Sequence, residues 1–278
     1  MMQLYNETSF ECSKIITQKY STSFSLGIKA FDKRLHYPIY AIYGFVRYAD
    51  EIVDTFHDFN KLELITNFRL ETFNAITNKI SLNPVIHSFQ LIVNQYNIPL
   101  NQIDAFLKSM EMDLGKATYS ADSYKEYIYG SAEVIGLMCL KVFCGNNNEL
   151  YLKLMPQAKS LGSAFQKINF LRDIKSDFED RGRTYFPDVD FQFFTEEDKL
   201  AIQEDIRKDF EEAMIGIKQL PDACRAGVYI AYVYYLELFE KVKDTSAISI
   251  SERRIRISDR RKLWLLAQAL VKNKLNII

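Results

Sequence analysis

Two pairs of aspartates have the spacing expected of a functional helix face. Asp50 and Asp54 lie four residues apart in the segment RYADEIVD. Asp173 and Asp177 have the same spacing in the segment NFLRDIKSD. On an α-helix, residues four apart project from one face, about one turn from each other. Carboxylate oxygens suit Mg²⁺, which usually binds one or two carboxylates together with substrate phosphates. The two pairs therefore indicate metal-assisted chemistry on a phosphorylated compound.

Other polar residues share the helix face of each aspartate pair. Arg47 and Tyr43 extend the face of the first pair, and Gln166 and Asn169 extend that of the second. A lone aspartate pair at this spacing is also common on solvated helix faces. Here both faces belong to otherwise apolar helices, which favours a cleft in which the two faces oppose each other. Such a cleft would hold metal ions between the protein and a diphosphate.

The elements that carry these faces are predicted to be long helices. Apolar residues recur three and four apart from about Arg34 to Phe56, which is typical of an amphipathic helix. The same pattern predicts helices at about 61–80, 85–96, 100–113, 121–144, 149–177, 196–218, 222–243 and 258–275. The segment from Glu179 to Asp190 contains glycine, proline and several charges, which predicts a loop. We therefore predict an all-α fold in one domain, residues 1–278.

Composition excludes several other classes of protein. The formal net charge is -1 and the pI is about 6.4, so no nucleic-acid partner is expected. The four cysteines form no CxxC pair and the three histidines are scattered, which does not indicate a zinc site. The N-terminus lacks the pattern of a signal peptide, and Lys141 interrupts the most apolar segment. We therefore expect a cytoplasmic protein without a spanning helix.

Five segments together resemble the squalene and phytoene synthase family. They are SFSLG at Ser23–Gly27, RYADEIVD, MEMDL at Met110–Leu114, YGSAEVIG at Tyr129–Gly136, and NFLRDIKSDFEDRGRTYFP. The resemblance covers nearly the whole chain and is looser over about the last 40 residues. It implies a single large helical bundle of the isoprenoid synthase type with a central substrate cavity.

The resemblance also implies a reaction. Members of the family join two prenyl diphosphates head to head through a cyclopropylcarbinyl diphosphate. SFSLG and RYADEIVD are similar to the bacterial carotenoid enzymes of the family, so the expected substrate is geranylgeranyl diphosphate and the expected product is 15-cis-phytoene. Mg²⁺, for which Mn²⁺ can substitute, is the expected cofactor. No NADPH is expected, because proton loss ends the reaction.

Site residues follow from the resemblance position by position. Asp50, Asp54, Asn169, Asp173 and Asp177 are the expected metal ligands, and the four aspartates together with Tyr129 are the expected catalytic residues. The residues expected to bind diphosphate are Arg47, Gln166, Asn169, Arg172, Arg181, Arg183, Tyr20, Ser23 and Tyr235. Phe24 belongs to the same N-terminal motif as Ser23. For Arg47 and Arg172 the alternative is an ion pair with a neighbouring carboxylate, and for Arg181 and Arg183 it is an ordinary solvated loop. For Tyr129 and Tyr235 the alternative is core packing, whereas Tyr20, Ser23 and Phe24 are expected to form a lid or to contact diphosphate.

Other functions stay open from the sequence. Within the family, condensation of farnesyl diphosphate to squalene, dehydrosqualene or presqualene diphosphate fits the same motifs. A non-catalytic assembly factor with the same fold is an alternative from a different functional class, but the intact aspartates argue against it. Terpene cyclases and chain-elongating transferases use DDxxD motifs, whereas this chain has Asp50 followed by Glu51 and a lone Asp173.

The C-terminal region combines positive charge with apolar residues. The basic segment from Glu252 to Lys262 is followed by LWLLAQALV. This combination is typical of a helix that lies on an anionic membrane surface, but it is more often a solvated face of a helix that packs on the core. A peripheral contact with the inner face of the membrane is therefore one expectation. The sequence does not indicate the oligomeric state.

Overall fold

The structure of the protein, a computed structural model, describes residues 2–115, 118–179, 182–187, 189, 193–252 and 255–274. The α-helices are Met2–Tyr20 (α1), Thr22–Ile28 (α2), Lys33–Asp54 (α3), Lys61–Asn78 (α4), Pro84–Tyr96 (α5), Leu100–Met112 (α6), Ala121–Ile128 (α7), Val134–Cys144 (α8), Asn148–Glu179 (α9), Glu196–Ile217 (α10), Asp222–Lys243 (α11), Ala247–Glu252 (α12) and Asp259–Lys274 (α13). A π-helical turn, Tyr129–Glu133, joins α7 to α8. These ranges contain no β-strand, so the all-α prediction is confirmed.

Helices α3 to α6, α9 to α11 and α13 begin and end within a few residues of the predicted positions, and the single helix predicted at 121–144 consists of α7, the π-helical turn and α8. Helix α1 was not predicted, because its buried face is not apolar. Ser9, Ser13 and Thr17 lie four residues apart on this face and are fully buried. Ser13 Oγ and Ser88 Oγ of α5 are 2.7 Å apart, which satisfies both hydroxyls. Small hydroxyl residues let α1 approach α3 and α5 closely, and they leave no apolar period in the sequence.

The π-helical turn lies between α6 and α9 at two very close helix contacts. A Cβ atom at Gly130 would lie 2.5 Å from the carbonyl oxygen of Ala105 and 2.7 Å from Cβ of Ser109. A Cβ atom at Gly162 of α9 would lie 2.7 Å from the carbonyl oxygen of Ala132. Val134 N–H bonds to the carbonyl oxygen of Tyr129, five residues back, so the turn is wider than an α-helical turn. Gly130 of the YGSAEVIG motif and Gly162 of α9 therefore allow the close packing of these helices.

Replacing Gly130 by alanine is expected to destabilise the protein by about 1–3 kcal/mol, because the added methyl group overpacks a backbone contact. The gain in helix propensity of about 1 kcal/mol offsets only part of this cost. Thermal unfolding followed by circular dichroism measures the effect. The matched control is Gly115→Ala, since a Cβ atom at this exposed position would meet no other atom within 4 Å. Equal unfolding temperatures for the two variants would contradict the packing role.

One stretch of the described chain, Ala121–Cys144, is long and apolar enough to cross a membrane by length and composition, with a mean hydropathy of 1.4. It comprises α7, the π-helical turn and α8. In the structure 56% of its most apolar 18-residue segment is buried, and the stretch packs against α3, α6 and α9. A buried core helix meets the same criteria, so this stretch is weak grounds for a membrane span.

Candidate active site

Helices from both halves of the chain enclose a cavity of about 690 Å³. Much of its wall is apolar and is formed by residues such as Ile135, Leu140, Phe143 and Ile217. Cys139 also lines the cavity, and burial raises the pKa of its thiol to about 12. The thiol is therefore protonated near neutral pH and contributes to the apolar surface. This volume lies within the range of small-molecule sites, and the wall suits an apolar ligand.

Both predicted aspartate motifs contribute to the wall of this cavity. The predicted residues that line it are Arg47, Asp50, Asp54, Gln166, Asn169, Arg172, Asp173, Asp177, Arg183 and Tyr235, together with Phe24. The structure thus brings together residues that are more than a hundred positions apart in the chain. Spacing had predicted that each motif occupies one helix face, and the fold places both faces on one cavity.

In the first motif, Arg47 lies among acidic and aromatic groups. Its guanidinium contacts the carboxylate of Glu51 one turn ahead, and Nη1 is 3.9 Å from Oδ2 of Asp50. The guanidinium carbon lies 4.5 Å from the centre of the Tyr20 ring, a cation–π distance. Arg47 Nε is buried and donates to no acceptor among the described residues. This donor is suited to an anionic ligand in the cavity.

In the second motif, Arg172 and Asp173 form a two-point ion pair. Arg172 Nε donates to Oδ1 of Asp173 over 3.0 Å, and Nη2 donates to Oδ2. Burial alone would lower the pKa of Arg172, but the charge and hydrogen bonds of Asp173 outweigh it and raise the pKa. One turn earlier, Tyr235 Oη of α11 donates to Oδ1 of Asn169 over 3.3 Å. These contacts fix the orientation of the α9 side chains before any ligand binds.

Arg183 joins the two motifs. Its backbone N–H bonds to the carbonyl oxygen of Asp177 over 2.8 Å, and Nη1 lies 3.4 Å from Oδ1 of Asp54. Nη1 is also 3.5 Å from Oδ1 of Asp113, and Nη2 donates to the carbonyl oxygen of Asp113 over 2.8 Å. Burial opposes the charged guanidinium, but the charge of Asp113 together with the contacts of Tyr185 and Tyr127 outweighs this effect and raises the pKa of Arg183. Arg183 was predicted to bind diphosphate; in the structure it is the buried partner of two carboxylates.

Asp113 is a cavity residue that was not among the predicted site residues. It follows the last residue of α6 and lines the cavity, and its side chain is only 5% exposed. Tyr127 Oη donates to Oδ2 of Asp113 over 2.9 Å. The segment MEMDL contains this aspartate and was part of the family resemblance. It lacks a second aspartate four residues away, so spacing offered no signal for it.

The structure does not bring Tyr129 to the cavity. Tyr127 lines the cavity, whereas the Tyr129 ring lies 4.9 Å from Nζ of Lys159. Residues two apart on a helix are about 200° apart around its axis, so the two tyrosines project from nearly opposite sides. Burial raises the pKa of Tyr127 well above its ordinary value. Of these two tyrosines it is therefore Tyr127 that lies on the cavity wall, and its hydroxyl is protonated at any physiological pH.

The remaining predicted residues lie at the edges of the site. Tyr20 is half exposed and does not line the cavity, although it contacts Arg47. Phe24 of α2 lines the cavity, and its ring stacks on that of Tyr43 with centres 4.8 Å apart. Ser23 belongs to α2, but its side chain lies outside the described residues, as does the whole of Arg181.

The carboxylate and amide oxygens of the cavity are suited to a hard divalent cation that also binds oxygen atoms of a ligand. Among the described residues, no three His, Cys, Asp or Glu side chains converge closely enough to hold an ion by themselves. Mg²⁺ rarely needs such a cage, because it keeps several waters and takes one or two carboxylates plus phosphate oxygens. Asp54 is the last residue of α3, and Asp177 lies near the end of α9. The partial negative charge of both helix C-termini adds to the carboxylates and favours cations.

Comparison with known proteins gives a consistent picture. A family model described as squalene/phytoene synthase matches residues 17–261 of the chain. Phytoene synthase 1, chloroplastic, of Solanum lycopersicum is 25% identical over 97% of this chain and 69% of the relative. The phytoene synthase of Arthrospira platensis is 26% identical over 84% of each chain. The 15-cis-phytoene synthase of a Synechocystis species is 27% identical over 95% of this chain and 87% of the relative.

Solved structures share the fold. A dehydrosqualene synthase in complex with a ligand superposes with a TM-score of 0.84 and is 22% identical, and 98% of each chain is covered. A squalene synthase from Alicyclobacillus acidocaldarius superposes with a TM-score of 0.76 and is 18% identical, with 86% of this chain and 95% of the other covered. At these identities the likeness extends to the helical architecture and no further.

Proposed function

Because the chain belongs to the squalene/phytoene synthase family, we propose that it is a prenyl transferase that joins two geranylgeranyl diphosphates head to head to form phytoene. The observation that carries this proposal is the composition of the cavity. Two aspartate motifs and three arginines line the same cavity as a large apolar wall. A prenyl diphosphate has the matching character, with a strongly anionic head and a long hydrocarbon tail. The phytoene synthases among the relatives support the C20 substrate.

The charged residues of the cavity bind and orient the diphosphate groups in this proposal. Arg47 offers its buried Nε, and Arg172 is oriented by Asp173. Forked guanidinium groups recognise phosphate oxygens well. Asp50, Asp54, Asp173, Asp177 and Asn169 would hold Mg²⁺ against the same oxygens. When bound, Mg²⁺ stabilises the negative charge that develops as diphosphate departs.

The apolar part of the wall protects the allylic cation that remains. Water would capture such a cation, and the apolar side chains exclude it from the reacting carbons. Phe165 and Tyr235 both line the cavity and stack with ring centres 3.9 Å apart. Aromatic faces of this kind stabilise a nearby cation electrostatically. Burial raises the pKa of Tyr235, so its ring stays neutral and does not trap the cation as a phenolate.

The proposed sequence of bonds is balanced without a reductant. The first substrate loses diphosphate, its carbon bonds to the double bond of the second, and a proton is released to give the cyclopropylcarbinyl diphosphate. That compound loses the second diphosphate, rearranges and releases another proton to give phytoene. Squalene formation would instead end with hydride transfer from NADPH. A requirement for NADPH therefore distinguishes squalene formation from phytoene formation.

The proposal is tested by product analysis with the purified chain. Geranylgeranyl diphosphate and farnesyl diphosphate are supplied separately with Mg²⁺, each with and without NADPH, and the extracted hydrocarbons are identified by mass spectrometry. We expect phytoene from the C20 substrate without NADPH. Conversion of the C15 substrate alone would overturn the C20 assignment. Lack of any product from either substrate would overturn the enzymatic reading in favour of a non-catalytic binding role.

A further inference from the structure

Helix α13 presents an apolar stripe to solvent. Leu263, Trp264 and Val271 are 57%, 50% and 56% exposed, and Leu270 and Ala267 are also exposed. These positions are spaced one, three and four residues apart, so they form one face of the helix. Scattered single apolar residues on a surface are ordinary, whereas a continuous face of this kind marks an interaction surface. We call these five residues the outer face of α13.

The opposite side of α13 forms part of the cavity wall. Lys262, Leu265 and Leu266 line the cavity, and Leu265 and Ala269 are buried. The same helix therefore separates the cavity from the outer face. An α-helix with its side chains is about 10–12 Å across. Whatever covers the outer face lies within one helix diameter of the apolar cavity.

Positive charge surrounds the outer face. Helix α13 contains five lysines and arginines and one aspartate, although the whole chain has a net charge of -1. Arg256 and Arg260 are exposed beside the start of the helix, and Lys272 lies near its end. Arg261 is held by Glu237 at 2.8 Å and lies 4.2 Å from the centre of the Trp264 ring. This contact holds the indole at the boundary between charged and apolar surface.

We propose that the outer face of α13 docks on the surface of a lipid bilayer that contains anionic lipids. An exposed apolar face with flanking lysines and arginines is the signature of a helix that lies in the interfacial plane. Tryptophan favours the same region because its ring is apolar and its N–H is polar. The cations add attraction to anionic headgroups. Docking itself does not depend on the proposed enzymatic function. Its functional consequence rests on that proposal: docking would place the cavity beside the lipid bilayer, which dissolves prenyl chains and the hydrocarbon product.

Charge makes a second copy of the chain a poorer occupant of this face. In a two-fold symmetric pair of antiparallel α13 helices, Arg260 of one copy would lie near Lys272 of the other. Like charges at both ends of the contact would oppose association. A bilayer with anionic headgroups supplies the opposite charge at both ends.

The chain contains a single tryptophan, Trp264, so its fluorescence reports on the outer face alone. The full chain is mixed with vesicles of phosphatidylcholine or of phosphatidylcholine with phosphatidylglycerol. We expect a blue shift and protection from acrylamide with the anionic vesicles, reduced by added salt. The double variant Leu263→Gln/Val271→Gln should lower vesicle binding about tenfold, because it removes much of the apolar face. Arg260→Glu should weaken binding to anionic vesicles specifically.

The matched control is Leu82→Gln, which alters a leucine that is 91% exposed and lies outside α13. It should bind vesicles like the wild type, as should Asp54→Asn, which tests binding independently of catalysis. The proposal is wrong if vesicles leave the emission unchanged, or if the α13 double variant binds as well as Leu82→Gln. A blue shift that grows with protein concentration without lipid, with dimers in sedimentation, would assign the face to a second copy instead.

Discussion

The Asp173→Asn variant is expected to form product about 10²–10³-fold more slowly than the wild type, the loss typical when one group that stabilises transition-state charge is removed. The amide keeps the shape of the side chain but removes its negative charge. In the proposed function that charge attracts Mg²⁺, and in the structure it holds Arg172 in a two-point ion pair. Turnover measured across a range of Mg²⁺ concentrations should show both a lower maximum and a weaker apparent affinity for the ion.

Asp54→Asn is expected to behave in the same way, because Asp54 lines the same cavity at the end of α3. The matched control is Asp244→Asn, which removes one charge at an exposed position that is not part of the cavity lining. Circular dichroism verifies that each variant is folded. Wild-type turnover of either cavity variant at saturating Mg²⁺ would rule out the proposed metal role of that aspartate.

Replacing Arg183 by alanine is expected to lower the free energy of unfolding by about 3–5 kcal/mol, the usual cost of removing one partner from a buried ion pair. Arg183 is 8% exposed and Asp113 is 5% exposed. Without the guanidinium, the buried carboxylate of Asp113 would lose its cationic partner and retain the hydrogen bond from Tyr127. Denaturant unfolding in the absence of ligand measures this effect separately from any loss of diphosphate binding.

The double variant Arg183→Ala/Asp113→Ala tests the cause. Removing both partners should cost less than the sum of the two single changes, because no buried charge is left unpaired. The surface comparison is Arg207→Ala, since Arg207 pairs with Glu204 and Glu211 on an exposed face. This change should affect stability little. If Arg183→Ala were as stable as Arg207→Ala, the buried ion pair would not be the main role of Arg183, and diphosphate binding would explain this residue better.

Most helices could be predicted from the sequence because the apolar period is a local property. A helix that buries an apolar side places apolar residues three and four apart, and α3 does so from Pro38 to Val53. Helix α1 buries hydroxyls instead, and these are satisfied by partners such as Ser88 that lie far away in the chain. A pattern of apolar residues cannot reveal a face whose burial depends on remote hydrogen bonds.

The site was predictable to the extent that its residues recur along one helix. Spacing placed Asp50 with Asp54, and Asp173 with Asp177, and all four line the cavity. Asp113 has no second aspartate one helical turn away, so spacing does not single it out. Only the folded structure shows that it lines the cavity and accepts a hydrogen bond from Tyr127 of α7. The family motif beginning at Tyr129 lies in a segment that lines the cavity, but which tyrosine faces inward depends on how the segment is rotated between α6 and α9.

The sequence by itself determined most of the helices, the two acidic faces and the family, because each of these depends on residue types at short, regular spacing. Only the tertiary structure decided that both faces share one cavity, since that requires α3 and α9 to line the same space between the helices. It also decided that Arg183 is buried between Asp54 and Asp113, and that α13 has one face on the cavity and another exposed. Such facts depend on contacts between distant segments, and the spacing within a segment carries no information about them.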